Sequence, residues 1–440
     1  MRVLALDVGS SSARACAYDE AGRPLGECAQ RKYSARTGRD GSAELDAGEL
    51  LQAAKAVLAE AGEADAVGSS CFWHSLLLLN EHDEPLTPVL LWQDRRAARQ
   101  AEELAERFDE QAVHERTGCV LHPSYWPAKL AWLAEQGALP QARRVVSFGD
   151  YLFLRLTGEL RTTLSTASGS GLLDLRARRW DGELLDELGI GEELLPPLSD
   201  EPVGASYPPL GDGACSNLGC GCVTADRAAL MIGTSGAYRV VREGEPAPRD
   251  GLFSYLVDAQ RVVEGGSISD GGNLLAWLER TLKLESREPA GPDAHGLTFL
   301  PLLGGERSPG WNPRATGAIA GLTLATEPGD LRQAALEGVA YRVAEIAERL
   351  PEVREVVATG GGLREDEWWL QVFADVLGLP VTASAVEEGS ARGAAVHVLE
   401  RLGAAPDPAP LGETYAPDPE RTALYAAARE RQRELYRRLF

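Results

Sequence analysis

Leu4-Ala5-Leu6-Asp7-Val8-Gly9-Ser10-Ser11-Ser12-Ala13-Arg14 is the stretch on which the fold turns. An apolar run ends at Asp7, and a glycine, three hydroxyl side chains and a cation follow within seven residues. Apolar alternation resumes at Ala15-Cys16-Ala17-Tyr18, and Asp19-Glu20-Ala21-Gly22 supplies the next turn. The pattern reads as a β-hairpin whose tight turn gathers backbone N–H groups, hydroxyls and a carboxylate at one point. Such a point suits a magnesium-bound phosphate. Met231-Ile232-Gly233-Thr234-Ser235-Gly236-Ala237-Tyr238-Arg239-Val240-Val241 repeats the order of strand, small-residue turn and strand. Two such turns in corresponding positions of two halves predict a duplicated, two-lobed nucleotide-binding protein.

At 440 residues the chain exceeds one ordinary core, which predicts two or three domains. No uncharged apolar run reaches the ~18 residues of a membrane span, so no membrane partner is expected. The N-terminus enters a charged, structured segment directly, which argues for the cytoplasm and against a secretory leader. A net charge of −22 argues against nucleic acid as a partner. The same charge requires local arginines, backbone amides and a divalent cation to reverse the field inside any cleft that takes ATP. Nearly all positive charge is arginine, since lysine occurs only at Lys32, Lys55, Lys129 and Lys283. The seven cysteines are Cys16, Cys28, Cys71, Cys119, Cys215, Cys220 and Cys222, an odd set whose spacing forms no disulfide framework. Cys215, Cys220 and Cys222 lack the CxxC pair or nearby histidine of a zinc site and read as packing thiols.

Apolar periodicity predicts a helix over 43–64, entered near Asp46, and a buried strand over 66–70. Residues 95–190 read as mostly helical, and 196–209 as a proline-rich connection. Strands return from 228, with helices over 274–284 and 331–350, the second capped by Asp330. The Gly- and Pro-rich stretch 299–323 reads as extended surface. A strand over 355–358 meets Thr359-Gly360-Gly361-Gly362, a small-residue helix begins at Ser390, and the charged segment 419–440 is a helix able to cap either lobe. The lobe boundary is expected near 223, giving domains 1–223 and 224–440.

No GxxxxGK[ST], HExxH, GxSxG or strand-to-helix GxGxxG is present. What is present is an ordered series. Asp7 to Ser12 is followed by Trp92-Gln93-Asp94-Arg95, Asp150-Tyr151-Leu152, Leu156-Thr157-Gly158 and the stretch 165–174. Gly211-Asp212-Gly213, Gly233-Thr234-Ser235-Gly236, Gly305-Glu306-Arg307-Ser308-Pro309, Leu336 to Tyr341 and Thr359 to Gly362 complete it. The series resembles the FGGY family of carbohydrate kinases nearly end to end. The resemblance implies an α/β fold of two actin/hexokinase-like (ribonuclease H-like) lobes with a central nucleotide- and sugar-binding cleft, and ATP and Mg2+ as cofactors. It implies that Asp212 is the general base and that Asp7 holds the metal. It places Gly9, Ser10, Ser11, Ser12 and Arg14 at the phosphates from one side, with Gly233, Thr234 and Ser235 on the other. Gly361 and Gly362 would face adenine and ribose. Taken without the family, Asp212 reads as a helix N-cap and Asp7 as a turn aspartate.

Trp73 and His74, with Asp94, Arg95 and Asp212, fall where the family reads its sugar. His74-Ser75, Pro85 to Pro88, Thr117 to Pro123, Lys129 to Leu133 and Asn217-Leu218-Gly219 most resemble the gluconate-phosphorylating branch. The expectation is therefore ATP-dependent conversion of gluconate to 6-phosphogluconate. Arg95 would neutralise the substrate carboxylate, with Asp94 and His74 on hydroxyls, whereas His122 and Lys129 read better as structural groups. The rival within the family is a xylulokinase or another ketose or polyol kinase. Rivals of other classes are a non-catalytic actin- or chaperone-like nucleotide switch and a sugar-sensing regulator, which would want a DNA-binding module. The expected partner is a small sugar or sugar acid, and a homodimer is compatible with this reading.

Overall fold

Val3–Val8 (β1) is buried along its whole length because it runs at the centre of a five-stranded sheet. The computed structural model describes residues 1–282, 290–364 and 366–440. Ser12–Tyr18 (β2) pairs antiparallel with β1, and Ala29–Lys32 (β3) pairs antiparallel with β2. On the other side Ala66–Cys71 (β4) runs parallel to β1 and Leu210–Gly211 (β5) parallel to β4. The second half repeats this order. Arg227–Ile232 (β6), Gly236–Glu243 (β7) and Arg261–Ile268 (β8) form the antiparallel part. Glu355–Thr359 (β9) runs parallel to β6, and Val381–Ser384 (β10) parallel to β9. Two edge strands, Phe253–Leu256 and Leu411–Tyr415, widen the second sheet to seven.

Parallel neighbours need crossovers, and helices supply them. Ala47–Ala61 joins β3 to β4, entered through Asp46, whose side chain accepts the Glu49 N–H. The first three residues of the expected 43–64 helix form a strand, Ala43–Leu45. Pro328–Ala347 precedes β9. Its N-cap is Glu327 rather than Asp330, because Pro328 at the first helical position starts the helix earlier. Asp330 instead accepts the Glu327 N–H at 2.8 Å. The expected 274–284 helix begins earlier, as Gly272–Trp277, and widens into a π turn over Leu278–Leu282. Residues 283 and 284 lie outside the described residues.

Each lobe has its own core, and one apolar cluster among those described draws heavily on both. It combines Val3 and Ala5 of β1 with Ala214, Cys215 and Leu218, with Ala391 and Ala394, and with Val241, Tyr255 and Val263 of the second sheet. The small residues of the Gly389–Arg401 helix let it lie against Asp212–Gly219. A Cβ on Gly393 would fall 1.8 Å from the Cys215 carbonyl oxygen, so only glycine permits that approach. Pro419–Leu439 packs on the second lobe, where Tyr425 and Ala428 enter its core.

Two further expectations need correction. Cys16 and Cys28 are joined by a disulfide across the turn between β2 and β3, so one cysteine pair does form. Linear spacing could not find it, since the strand pairing brings the two together. The other five cysteines are free and buried. The 299–323 stretch is surface only in part: Glu306, Arg307 and Ser308 are all buried, Arg307 lies over Trp92 of the first lobe, and 321–323 are exposed. No helix among the described residues is long and apolar enough to cross a membrane.

Candidate active site

Alternation along β1 sets the first carboxylate. Val3 and Ala5 face the inter-lobe cluster, so Asp7 falls on the same face just beyond its apolar part. Asp7 stands opposite Arg14 of β2 and Ser70 of β4, and Ser70 stands opposite Leu210 of β5. Two residues after Leu210 comes Asp212, the first residue of the Asp212–Gly219 helix. Gly211 holds the N-cap position, so the Asp212 carboxylate is not the cap. Its Oδ1 accepts the Gly213 N–H at 2.8 Å. Both aspartates thus stand at the carboxyl ends of parallel strands on either side of β4, where open α/β sheets hold ligands.

Burial raises the Asp7 carboxyl to about 7, with Asp212 and Glu388 adding to the rise. Asp212 is raised as well, again by burial first, and the Arg239 guanidinium is the largest opposing influence, with Arg307 also opposing. Asp7 Oδ1 is buried without a donor. An orphaned carboxylate oxygen beside a second carboxylate fits a hard divalent cation.

The first turn is closed by Gly9 N–H donating to Ser12 O at 2.9 Å and by Tyr33 OH donating to Gly9 O at 2.6 Å. Ser11 is exposed at its tip, Ser10 half-buried and Ser12 buried at the head of β2. Arg14 is engaged by carboxylates, with Nε 3.3 Å from Glu388 and Nη1 3.9 Å from Asp7. It also lines a cavity of about 800 Å3 with Tyr18, Arg23 and Arg392.

The second turn is braced from behind. Gly233 N–H donates to Ser235 O at 2.9 Å, while Gly272 N–H reaches Gly233 O at 2.7 Å and Asn273 N–H reaches Thr234 O at 3.1 Å. Gly233, Thr234 and Gly362 together line a cavity of about 580 Å3 with Trp277 and Arg280. Ser235 and Gly361 are not part of that lining. Gly360 has φ +92°, and a Cβ there would lie 2.3 Å from Ile232 O. That contact sets how closely β9 delivers the Gly361-Gly362 step to the second turn.

The Trp73 indole fills the wall beneath Asp212. Nε1 donates to Ser165 O at 2.9 Å, and a Cβ on Gly211 or Gly213 would strike the ring. His74 is buried with φ +65°. Its Nδ1 lies 2.6 Å from Gly169 O, an acceptor, so Nδ1 carries the proton and Nε2 is left as an acceptor. Burial, then Arg307, hold His74 well below its ordinary pKa, so the ring is neutral. Lys129 Nζ donates to His74 O at 3.0 Å and to Ser124 O at 2.9 Å, tying two sugar-side segments together.

Asp94 and Arg95 are placed differently from expectation. Asp94 is buried and committed, with both oxygens bonded to Arg96 and Oδ2 accepting the Ala43 N–H. Arg95 is exposed and donates to Pro313 O at 2.5 Å across the lobes. A cavity of about 300 Å3 lies here, lined by Trp92, Arg95, His122, Ser124, Asn273 and Arg307 among others. That volume is at the small end of ligand sites, and matches a sugar-sized occupant.

Two hairpin turns in corresponding positions of the two sheets, with acidic groups at the strand ends of the first, are matched by sequence comparison. Residues 2–207 match the N-terminal domain, and residues 228–398 the C-terminal domain, of the FGGY family of carbohydrate kinases. The chain belongs to that family. It is an ATP-dependent carbohydrate kinase with the two-domain actin/hexokinase-like fold. It is 28% identical to a gluconokinase of Bacillus subtilis (strain 168), over 91% of this chain and 88% of the relative. It is 31% identical to a xylulose kinase of Escherichia coli (strain K12), over 86% and 85%. The structure of a gluconate kinase from Lactobacillus acidophilus superposes with a TM-score of 0.91 at 26% identity, covering 100% of this chain and 98% of the other.

In this FGGY kinase several site groups escape sequence reading. Arg96, which holds Asp94, directly follows the Trp92-Gln93-Asp94-Arg95 segment, so its position beside the motif was visible in the sequence. Asp270, buried and raised to about 6 by burial, accepts from Gly304 N–H and Asn273 Nδ2 and ties the 303–305 loop to the second turn. Arg239 and Arg307 lie inside a strand and a Gly-rich segment, and no local pattern marks them as buried. A further cluster, Asp293, His295 and Glu337, is saturated by hydrogen bonds. Leu297 N–H donates to His295 Nδ1, so Nε2–H donates to Glu337, which also receives Gln333 and Tyr341, while Arg431 takes Asp293. It ties the C-terminal helix to the lobe.

Proposed function

We propose that the chain phosphorylates the terminal hydroxyl of a sugar acid, gluconate giving 6-phosphogluconate, with Asp212 as general base. The observation that carries this reading is that Asp7 and Asp212, at the ends of parallel strands on either side of β4, are buried within each other's electrostatic reach. In phosphoryl transfer the protein mainly positions groups and offsets charge. Asp212 orients the acceptor hydroxyl and takes its proton as the new O–P bond forms. Arg239 and Arg307 favour its ionised form against burial, which keeps it able to accept. His74 Nε2 accepts from a substrate hydroxyl, and Trp73 fixes the floor. The Ser10 to Ser12 and Thr234 to Ser235 segments would offer hydroxyls, and the N–H groups not used within each turn, to the phosphates from opposite lobes, and Gly362 would lie on the adenosine side. Asp7 would hold Mg2+, directly or through water, and the ion when bound offsets phosphate charge. Closure of lobes 1–223 and 224–440 would exclude water as a competing acceptor. A ketose substrate is the second reading, favoured by the match to a xylulose kinase.

Asp212→Asn tests the base. The variant should lose roughly 10³-fold in kcat while binding ATP within about threefold of the parent. Turnover at the parental rate would refute the assignment.

A further inference from the structure

The short strand β3 braces the first turn from its outer side. Tyr33, directly after β3, donates its N–H to Ser11 O at 3.0 Å and its OH to Gly9 O at 2.6 Å. Turned so that its oxygen faces the guanidinium, the Gln30 amide accepts from Arg14 Nε and Nη2, both at 2.9 Å. This one segment therefore holds both the turn and the cation that follows it.

The brace itself has a short seat. β3 is the edge strand of the first sheet, four residues long, with Arg31 and Lys32 exposed. Its ladder with β2 runs from Ser12–Lys32 to Ala15–Ala29 and stops. The next opposed residues are Cys16 and Cys28, and the disulfide joins them. Beyond it Gly26 and Glu27 are exposed, and the hairpin resumes at the bond from Leu25 N–H to Ala17 O. The disulfide thus anchors the end of β3 farthest from the turn.

The two sulfurs differ in access. Cys16 is 1% exposed and packs into the apolar cluster that draws on both lobes. Cys28 is half-buried and, unlike Cys16, lines the 800 Å3 cavity together with Arg14, Tyr18 and Arg392. That volume admits a small thiol reagent. The five free cysteines are all buried, so Cys28 is the sulfur most open to exchange.

We propose that the Cys16–Cys28 bond is a thiol–disulfide exchange site, open to a small dithiol through that cavity, and that its reduction weakens nucleotide binding by releasing β3 from the first turn. A thiolate of the dithiol attacks Cys28 Sγ, the Cys16–Cys28 bond breaks, and Cys16 leaves as a thiolate that takes up a proton. The reagent's second thiolate then attacks its own sulfur in the mixed disulfide and displaces Cys28, which is protonated in turn. The dithiol departs as its disulfide, having given two electrons and two protons to the protein. With its far end freed, β3 no longer holds Gln30 and Tyr33 in register with Arg14 and the turn, so the phosphate side loses its preorganisation.

The nucleotide effect rests on the reading of the first turn as a phosphate site, and the test separates the two. Folded parent protein treated with dithiothreitol, then alkylated and mapped by peptide mass, should carry label at Cys16 and Cys28 and none at the five buried cysteines. Binding of ADP with Mg2+, followed by titration calorimetry, should weaken by about threefold to tenfold on reduction. It should recover on reoxidation with glutathione disulfide. Cys28→Ser should bind as the reduced parent does and be indifferent to dithiothreitol. Cys16→Ala serves if the serine variant melts early, and an unchanged circular dichroism spectrum excludes unfolding. A bond that resists dithiothreitol in the folded protein would overturn the proposal, as would full reduction with ADP affinity unchanged. Asp7→Asn tells the two failures apart. If it weakens ADP binding and reduction does not, the exchange site alone is refuted; if neither changes it, the phosphate reading of the first turn falls as well.

Discussion

The two hairpin turns share a topology and differ in chemistry. Each joins a central strand to an antiparallel neighbour, with a parallel strand on the far side. The first turn is charged: Asp7 precedes it, Arg14 follows it, and Glu388 and Asp212 lie within electrostatic reach. The second has no ionisable residue between Ile232 and Gly236, and its carbonyls are fixed by the N–H groups of Gly272 and Asn273. One fold repeat has become a charge-handling site, the other a shape-handling site. The difference teaches that duplication supplies two like turns, while their charge differs through a few side chains at the strand ends.

That contrast can be broken by substitution. Asp7→Asn should strike hardest, lowering kcat/KM for Mg-ATP by at least about 100-fold, with the loss partly relieved by raised Mg2+. A variant with unaltered Mg2+ dependence would show that the first turn is not the charged one. Gly360→Ala acts on the shape-handling side. A Cβ at φ +92° against Ile232 O should destabilise the fold by about 2–4 kcal/mol, read as a lowered denaturation midpoint. An unchanged midpoint would mean the β9 approach to the second turn is looser than described. Thr234→Ala, which removes one hydroxyl from the cavity proposed to take the nucleotide, should raise the KM for ATP by about fivefold to tenfold with little change in sugar KM. Ser11→Ala at the exposed tip of the first turn should cost about threefold or less.

Much of this architecture is legible in the sequence because it is local. Asp7 to Arg14 and Ile232 to Gly236 carry their strand-turn-strand pattern within a dozen residues, and Asp212 opens a helix directly after a strand. What is not legible depends on partners far along the chain. Arg307 sits in a Gly- and Pro-rich segment whose composition argues for surface, yet that segment is pressed against Trp92, some two hundred residues earlier. Asp94 looks free in sequence and is closed by Arg96, because the turn after Trp92 folds the guanidinium back onto it. Cys16 and Cys28 become neighbours only through the pairing of β2 with β3. The Glu327 cap was hidden because Asp330 satisfies the same local rule three residues later.

The central claim is that the cleft between these turns transfers phosphate to a sugar acid. A coupled ADP-release assay on the parent protein, comparing kcat/KM for gluconate, xylulose and glycerol, tests it most directly. Gluconate should exceed both neutral substrates by at least about tenfold if the chain is built for a sugar acid. A preference for xylulose or glycerol over gluconate would contradict the account.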